Sequence, residues 1–262
     1  MPGKILISTS SLRRWKLSLN EQIDLCHNLD IDGIEISFQS KDEFLNFNLT
    51  YKNMKTLNRF KFNTIHLPFE NITYNKQQKE LIDKLNLLNK KIRPKFIVAH
   101  SNNVLDYSIF NGINLAIENY GFTRKQFIFY HSKQIFNMIL KGILNTKIKL
   151  SIKDQNKKLH LDLKNNKDLK LILDTSHASS ISETEIENLI NLYKDKIIGI
   201  HLSAFCNYKN HVSLNKTDNS TLKNLAVIKT LNVPLILEQK FPYRNSESIR
   251  QEITFLKKWY KS

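Results

Sequence analysis

Eight short apolar runs, most of them followed by a longer segment with helical spacing, fill a chain of 262 residues that is 41% hydrophobic. This pattern predicts an α/β fold, a single (β/α)8 TIM barrel. The runs are near-continuous in Ile, Leu and Val, as parallel strands are when helices cover them. The length suits one sizeable core, and no internal repeat or linker divides residues 1–262 into separate units. A doubly wound open sheet is the alternative, but its GxGxxG turn is absent.

In order, the predicted strands are Ile5-Leu-Ile-Ser8, Gly33-Ile-Glu-Ile-Ser-Phe38, Asn63-Thr-Ile-His-Leu67, Lys95-Phe-Ile-Val-Ala-His100, Asn114-Leu-Ala-Ile-Glu118, Leu169-Lys-Leu-Ile-Leu-Asp174, Lys196-Ile-Ile-Gly-Ile-His201 and Val233-Pro-Leu-Ile-Leu-Glu238. Ser18 with Glu21, and Ser182 with Glu185, read as capping boxes that open helices. Apolar residues at helical spacing follow them: Leu19, Ile23 and Cys26, then Ile186, Leu189, Ile190 and Tyr193. A last helix carries Ile249, Ile253, Leu256 and Tyr260.

One connection is longer than a βα unit needs, the 50 residues between Glu118 and Leu169. Gln126 to Ile143 can supply its helix. The remainder alternates, with Ile148, Leu150 and Ile152, then Leu159, Leu161 and Leu163 beyond a polar turn. This predicts a β-hairpin insertion over about 144–166, between strands 5 and 6. Its lysines suit a structural cover that discourages edge pairing.

The formal charge is +16, from 33 Lys and 7 Arg against 24 acidic residues, beside 30 Asn. A basic excess of this size suits a polyanionic partner, and a Lys- and Asn-rich composition also follows from AT-rich coding. Cys26 and Cys206 form no disulfide framework or CxxC pair. No apolar run approaches the ~20 residues that span a bilayer. A cytoplasmic protein with no membrane and no obligate protein partner is the expectation.

The C-terminal ends of barrel strands are where catalytic groups collect, and the metal-binding residue types gather there. His66 ends the third run, His100 the fourth, Glu118 the fifth, Asp174 the sixth with His177 just beyond, His201 the seventh with His211 in the following loop, and Glu238 the eighth. A carboxylate at the end of an apolar run is costly unless paired or bound to a cation. Nitrogen and oxygen ligands without thiolate suit Zn²⁺, Mn²⁺, Fe²⁺ or Co²⁺, and the ligand types alone do not choose among them; Zn²⁺ is the first expectation, at one to three ions per chain. Glu35, near the end of the second run, is either a polar group lining the mouth or an ordinary loop carboxylate. The following loops combine basic and aromatic residues: Arg13, Arg14 and Trp15, then Tyr208 and Lys209, then Lys240, Tyr243 and Arg244. Such sets contact phosphates and stack on bases in nucleic-acid enzymes.

The strings IHLPF, VAHSN, AIENYG, LILDTSHAS, GIHLS, NHVSL and LILEQ resemble, in order, those of the xylose isomerase-like TIM barrels, which include endonuclease IV and the sugar isomerase/epimerases. The resemblance covers nearly the whole chain except 120–168. It implies His66, His100 and Glu118 for a first ion, Glu118, Asp174, His201 and Glu238 for a second, and His177 and His211 for a third. A ninth ligand of the endonuclease, an aspartate, is replaced here by Lys209, which could contact a phosphate instead. Phe69 falls where the endonuclease carries a DNA-contacting tyrosine.

Two activities are implied. One is a phosphodiesterase of the apurinic/apyrimidinic (AP) endonuclease type, a DNA repair hydrolase in which metal-activated hydroxide attacks a backbone phosphate of DNA containing abasic sites. The other is a divalent-metal-dependent isomerase/epimerase of a sugar or small sugar phosphate, with Glu118 and Glu238 as acid and base. The catalytic expectations are Glu118, Glu238 and His177. Lys209, and Ala204-Phe205-Cys206 in place of the endonuclease's Asp-Ser-Lys, count against the first; His66 and His100 count for it.

Overall fold

The computed structural model describes residues 3–68, 74, 77–121, 156–207, 209–242 and 244–262. Eight parallel strands close into a barrel: β1 (Ile5–Ser8), β2 (Gly33–Ser37), β3 (Phe62–His66), β4 (Ile97–His100), β5 (Leu115–Glu118), β6 (Lys170–Asp174), β7 (Ile197–Leu202) and β10 (Leu235–Leu237). Each neighbours the next in the chain, and β10 returns to pair with β1, Ile5 beside Leu235. All eight apolar runs are therefore strands. Between β7 and β10, β8 (Ala204–Cys206) and β9 (Lys209–Val212) form a separate antiparallel ribbon.

Strand alternation explains where the site lies. Leu6, Val98, Ala116, Ile172 and Ile236 pack with Phe96 as an apolar plug. Two residues further along a strand the side chain returns to the same face. Those positions hold Ser8, His100, Glu118, Asp174 and Glu238. One step toward the C-terminal mouth, the lining changes from hydrocarbon to hydrogen-bonding and ionisable groups. The opposite faces of the strands, including Ile5, Ile7, Ile97, Ala99, Ile117, Leu171 and Leu173, join the core under the helices.

The first helix, α1 (Leu19–Cys26), opens as expected. The Ser18 hydroxyl accepts from the Glu21 amide, and the Glu21 carboxylate accepts from the Ser18 amide at 2.7 Å. Leu19, Ile23 and Cys26 are buried, and burial alone pushes the Cys26 thiol up to about 12. In the last helix, Ser246–Trp259, Ile249, Ile253 and Leu256 face the core.

Two expectations are corrected. No capping box forms at Ser182: this residue ends the preceding helix, Thr175–Ile181, its amide donating to the Ala178 carbonyl, and the next helix starts at Glu185 behind Thr184. Residues 156–165 are helical, so the second arm of the predicted hairpin is not a strand. Leu159 and Leu163 are buried one turn apart while Leu161 is 48% exposed. A spacing of four thus decides the conformation, where the leucines also permitted alternation. Lys158 and Asp162 pair across the same turn. The hairpin's first arm and the helix expected over Gln126 to Ile143 lie outside the described residues. Among the described residues, no helix is long and apolar enough to cross a membrane.

Candidate metal centre

Backbone register brings the strand ends together. His100 pairs with Glu118 across β4 and β5, and Asp174 with His201 across β6 and β7. Glu238 sits one residue beyond β10, where the Ser10 hydroxyl donates to its Oε1 at 3.0 Å. His177 lies in the first turn of the helix Thr175–Ile181, with its amide donating to Asp174 Oδ1 at 2.7 Å. His211 comes from the ribbon. Its φ of +58° is left-handed, a costly conformation for a non-glycine residue. Three contacts hold it: its amide donates to Ser176 Oγ, its carbonyl accepts from the Lys240 amide, and its ring Nδ1 meets Ser203 Oγ at 3.2 Å.

All eight expected ligands fall into three overlapping groups, each with potential ligand atoms within 4.8 Å of one another. They are His66, His100 and Glu118; Glu118, Asp174, His201 and Glu238; and Asp174, His177 and His211. Glu118 joins the first two groups through different oxygens. Its Oε2 lies 2.9 Å from His66 Nε2 and 3.5 Å from His100 Nε2. Its Oε1 lies 3.0 Å from His201 Nδ1 and 3.6 Å from His177 Nδ1. Backbone carbonyls orient the rings: His66 Nδ1 donates to Leu67 O at 2.8 Å and His177 Nδ1 to Asn119 O at 3.1 Å. A carbonyl only accepts, so these nitrogens carry a proton. Burial opposes charge on both rings, but Glu118 lifts His66, and Asp174 with Glu118 lifts His177, above an ordinary histidine. A cation would take the place of the Nε2 proton.

The electrostatics fit a cation. Burial works against ionising Asp174 and Glu238 and raises both above the usual carboxylate range. For Glu118 burial is outweighed by His201 and His100, which hold it well below that range. Burial likewise opposes charge on His201, but Glu35, Glu238 and Glu118 together lift it well above an ordinary histidine. Burial pushes His100 down to about 3 and His211 to about 4, leaving neutral imidazoles of the kind metals bind. Asp174 Oδ2 is buried with no hydrogen-bond partner. An acceptor left so within a mixed imidazole and carboxylate set is what a divalent ion would satisfy.

The expected substrate residues are placed less uniformly. Arg13 is half-buried and donates to Ser37 Oγ at 3.3 Å. Arg14, Lys209 and Arg244 are exposed. Lys240 is pushed below its usual value by partial burial and by the Arg14 charge, with Glu238 acting in the other direction. Trp15 is 3% exposed and belongs to the core, which corrects its assignment as a stacking residue: its ring packs inward. Phe69, Tyr208 and Tyr243 lie outside the described residues.

Sequence reasoning singled out neither Asn119 nor Gly121. Asn119 accepts from the Asp174 amide and donates to its carbonyl, tying the ends of β5 and β6. A Cβ on Gly121 would lie 2.4 Å from both Cα and O of His177. Their signal was their place in AIENYG, directly after a candidate ligand. Glu35 is fully buried, and its Oε2 lies 3.0 Å from His201 Nε2.

No protein-family model and no curated protein matches the sequence. Solved structures do match it across nearly the whole chain. Endonuclease IV from Thermus thermophilus superposes with a TM-score of 0.59 at 12% identity, covering 98% of this chain and 99% of that one. The 3-keto-D-glucoside 4-epimerase of E. coli gives 0.61 at 10% identity, with 98% and 99% covered. A xylose isomerase domain protein from Alicyclobacillus acidocaldarius gives 0.61 at 12%, with 100% and 99% covered. At such identities the likeness is one of fold, and it spans both chemistries. The chain has the fold of the xylose isomerase-like TIM barrels.

Proposed function

We propose that the protein is a divalent-metal-dependent phosphodiesterase acting on DNA that contains abasic sites, with Zn²⁺ as its metal. The observation that carries this reading is Glu118, whose two oxygens face different histidine sets. A carboxylate so placed suits adjacent ions sharing one ligand, and two or more ions suit displacement at phosphorus. His66, His100 and Glu118 would hold one ion, and Glu118, Asp174, His201 and Glu238 a second. Asp174, His177 and His211 would hold a third, with Lys209 in the same ribbon as His211. Bound ions would supply Lewis-acid stabilisation of phosphate oxygens and lower the pKa of water.

The chain's own residues bind and orient. Arg13, Arg14, Lys240 and Arg244, which follow β1 and β10 in the chain, would hold the backbone phosphates, which would give the basic charge a local role. Ser10 holds Glu238 from the rim. The apolar plug below closes the barrel floor, so solvent and substrate would reach the centre from the mouth.

One observation favours a second reading. Glu118, Asp174, His201 and Glu238 form a complete four-ligand group without His66 or His100, as a one-metal sugar epimerase with Glu118 and Glu238 as acid and base requires. Incubation with an oligonucleotide carrying one abasic site separates the two. The wild type with Zn²⁺ or Mn²⁺ should nick it, Glu118→Gln should not, and protein purified without chelator should hold two or more ions. Absence of nicking by the wild type, with one ion per chain, would refute the phosphodiesterase and favour the epimerase.

A further inference from the structure

We infer that Glu35 is a positioning residue: it grips the His201 ring through Nε2 and thereby commits Nδ1 to the four-ligand group, an inference that rests on the metal-centre reading. Glu35 lies on β2 in register with Ser8 on one side and Thr64 on the other. His201 lies on β7, whose neighbours are β6 and β10. Their contact therefore crosses the barrel interior rather than passing along the sheet.

The two nitrogens of the ring face opposite ways. Nε2 is 3.0 Å from Glu35 Oε2, while Nδ1 is 3.0 Å from Glu118 Oε1 and 3.3 Å from Glu238 Oε2. An imidazole that gives one N–H to a carboxylate presents the other nitrogen in a fixed direction with raised basicity. Glu35 belongs to none of the three ligand groups, and Thr64 Oγ1 approaches the same oxygen from 3.4 Å. Glu35 is fully buried, with His201 and Thr64 against its Oε2. Its charge is retained at a cost that the grip on His201 explains.

The test is Co²⁺ binding, followed by visible absorption and by competition with a chelator, in the wild type, Glu35→Gln, Ile36→Val and His201→Ala. Glu35→Gln should bind Co²⁺ about ten- to hundred-fold more weakly and shift the visible bands. Ile36→Val, which loosens core packing beside Glu35 on the other face of β2, should do neither. In the metal-loaded wild type, ¹⁵N-histidine NMR should find the His201 proton on Nε2, a readout that needs no variant to fold. Binding and bands in Glu35→Gln like those of the wild type would overturn the inference. So would equal losses in Glu35→Gln and Ile36→Val, or the proton on Nδ1. If His201→Ala weakens Co²⁺ binding while Glu35→Gln does not, the positioning role alone falls. If His201→Ala also binds as the wild type does, the metal-centre reading falls with it.

Discussion

Gly121→Ala tests the site without replacing a ligand. The added Cβ would lie 2.4 Å from Cα and O of His177 and 2.6 Å from Ser180 Oγ, where ordinary contacts begin near 3.4 Å. Two of these atoms are backbone, so no side-chain rotation relieves the clash. Either the segment after β5 or the helix Thr175–Ile181 must move by about 1 Å, and overpacking of this kind costs ~1–3 kcal/mol. The same movement draws His177 away from Asp174 and His211. It also strains the Asn119 clamp, which sits two residues before Gly121 and holds the Asp174 backbone from both sides. A misplacement of ~1 Å near reacting groups can cost about 100-fold in rate. Urea unfolding should report the stability loss, and metal analysis should find the group of Asp174, His177 and His211 depleted before the other two. A variant as stable as the wild type, with its full metal complement, would refute the claim that close backbone approach at Gly121 sets the position of His177.

Glu252 supplies a pH dependence away from the centre. Its carboxylate accepts from the amides of Leu214 and Asn215, yet burial raises it from 4.5 to about 7. The folded state then holds a proton that the unfolded chain releases, so its stabilising contribution is full below pH 4.5 and is lost as pH rises through about 7. The loss is about 3 kcal/mol, and denaturant unfolding from pH 4.5 to about 8 should show it in the wild type but not in Glu252→Gln; parallel curves would contradict it. Chelation should lower the melting temperature, because the buried carboxylates would lose their counter-charge. Restoring a divalent ion at ~100 times its Kd should return about 2.7 kcal/mol per site, and a melting temperature indifferent to chelator would count against the centre. Replacing Arg13 and Arg14 together should weaken DNA binding and flatten its salt dependence by roughly two counter-ions, measurable by fluorescence anisotropy at several salt concentrations.

The strands were legible because each is buried on both faces. The solvent-excluded outer side and the plugged interior both require apolar residues, so the runs stand out from the Lys- and Asn-rich segments around them. The ligands were legible for a related reason: an ionisable residue closing such a run is costly unless something beyond the strand satisfies it. Ser18 read correctly because a capping box is local, contained in four residues. Ser182 carried the same string, but there the hydroxyl-bearing residue was already in use at the end of another helix. Leu159, Leu161 and Leu163 fit either period, and only the core told them apart, by burying the outer two and leaving Leu161 in solvent.

The sequence by itself determined the eight strands, their order and the residue types at their ends, since hydrophobic periodicity and the cost of burying charge are properties of short segments. Tertiary structure alone decided that Glu118 turns one oxygen to His66 and His100 and the other to His201, that Trp15 faces the core, and that Glu35 meets His201 across the barrel. These depend on closure, which brings residues from opposite strands to within hydrogen-bonding distance, and no local spacing encodes that distance.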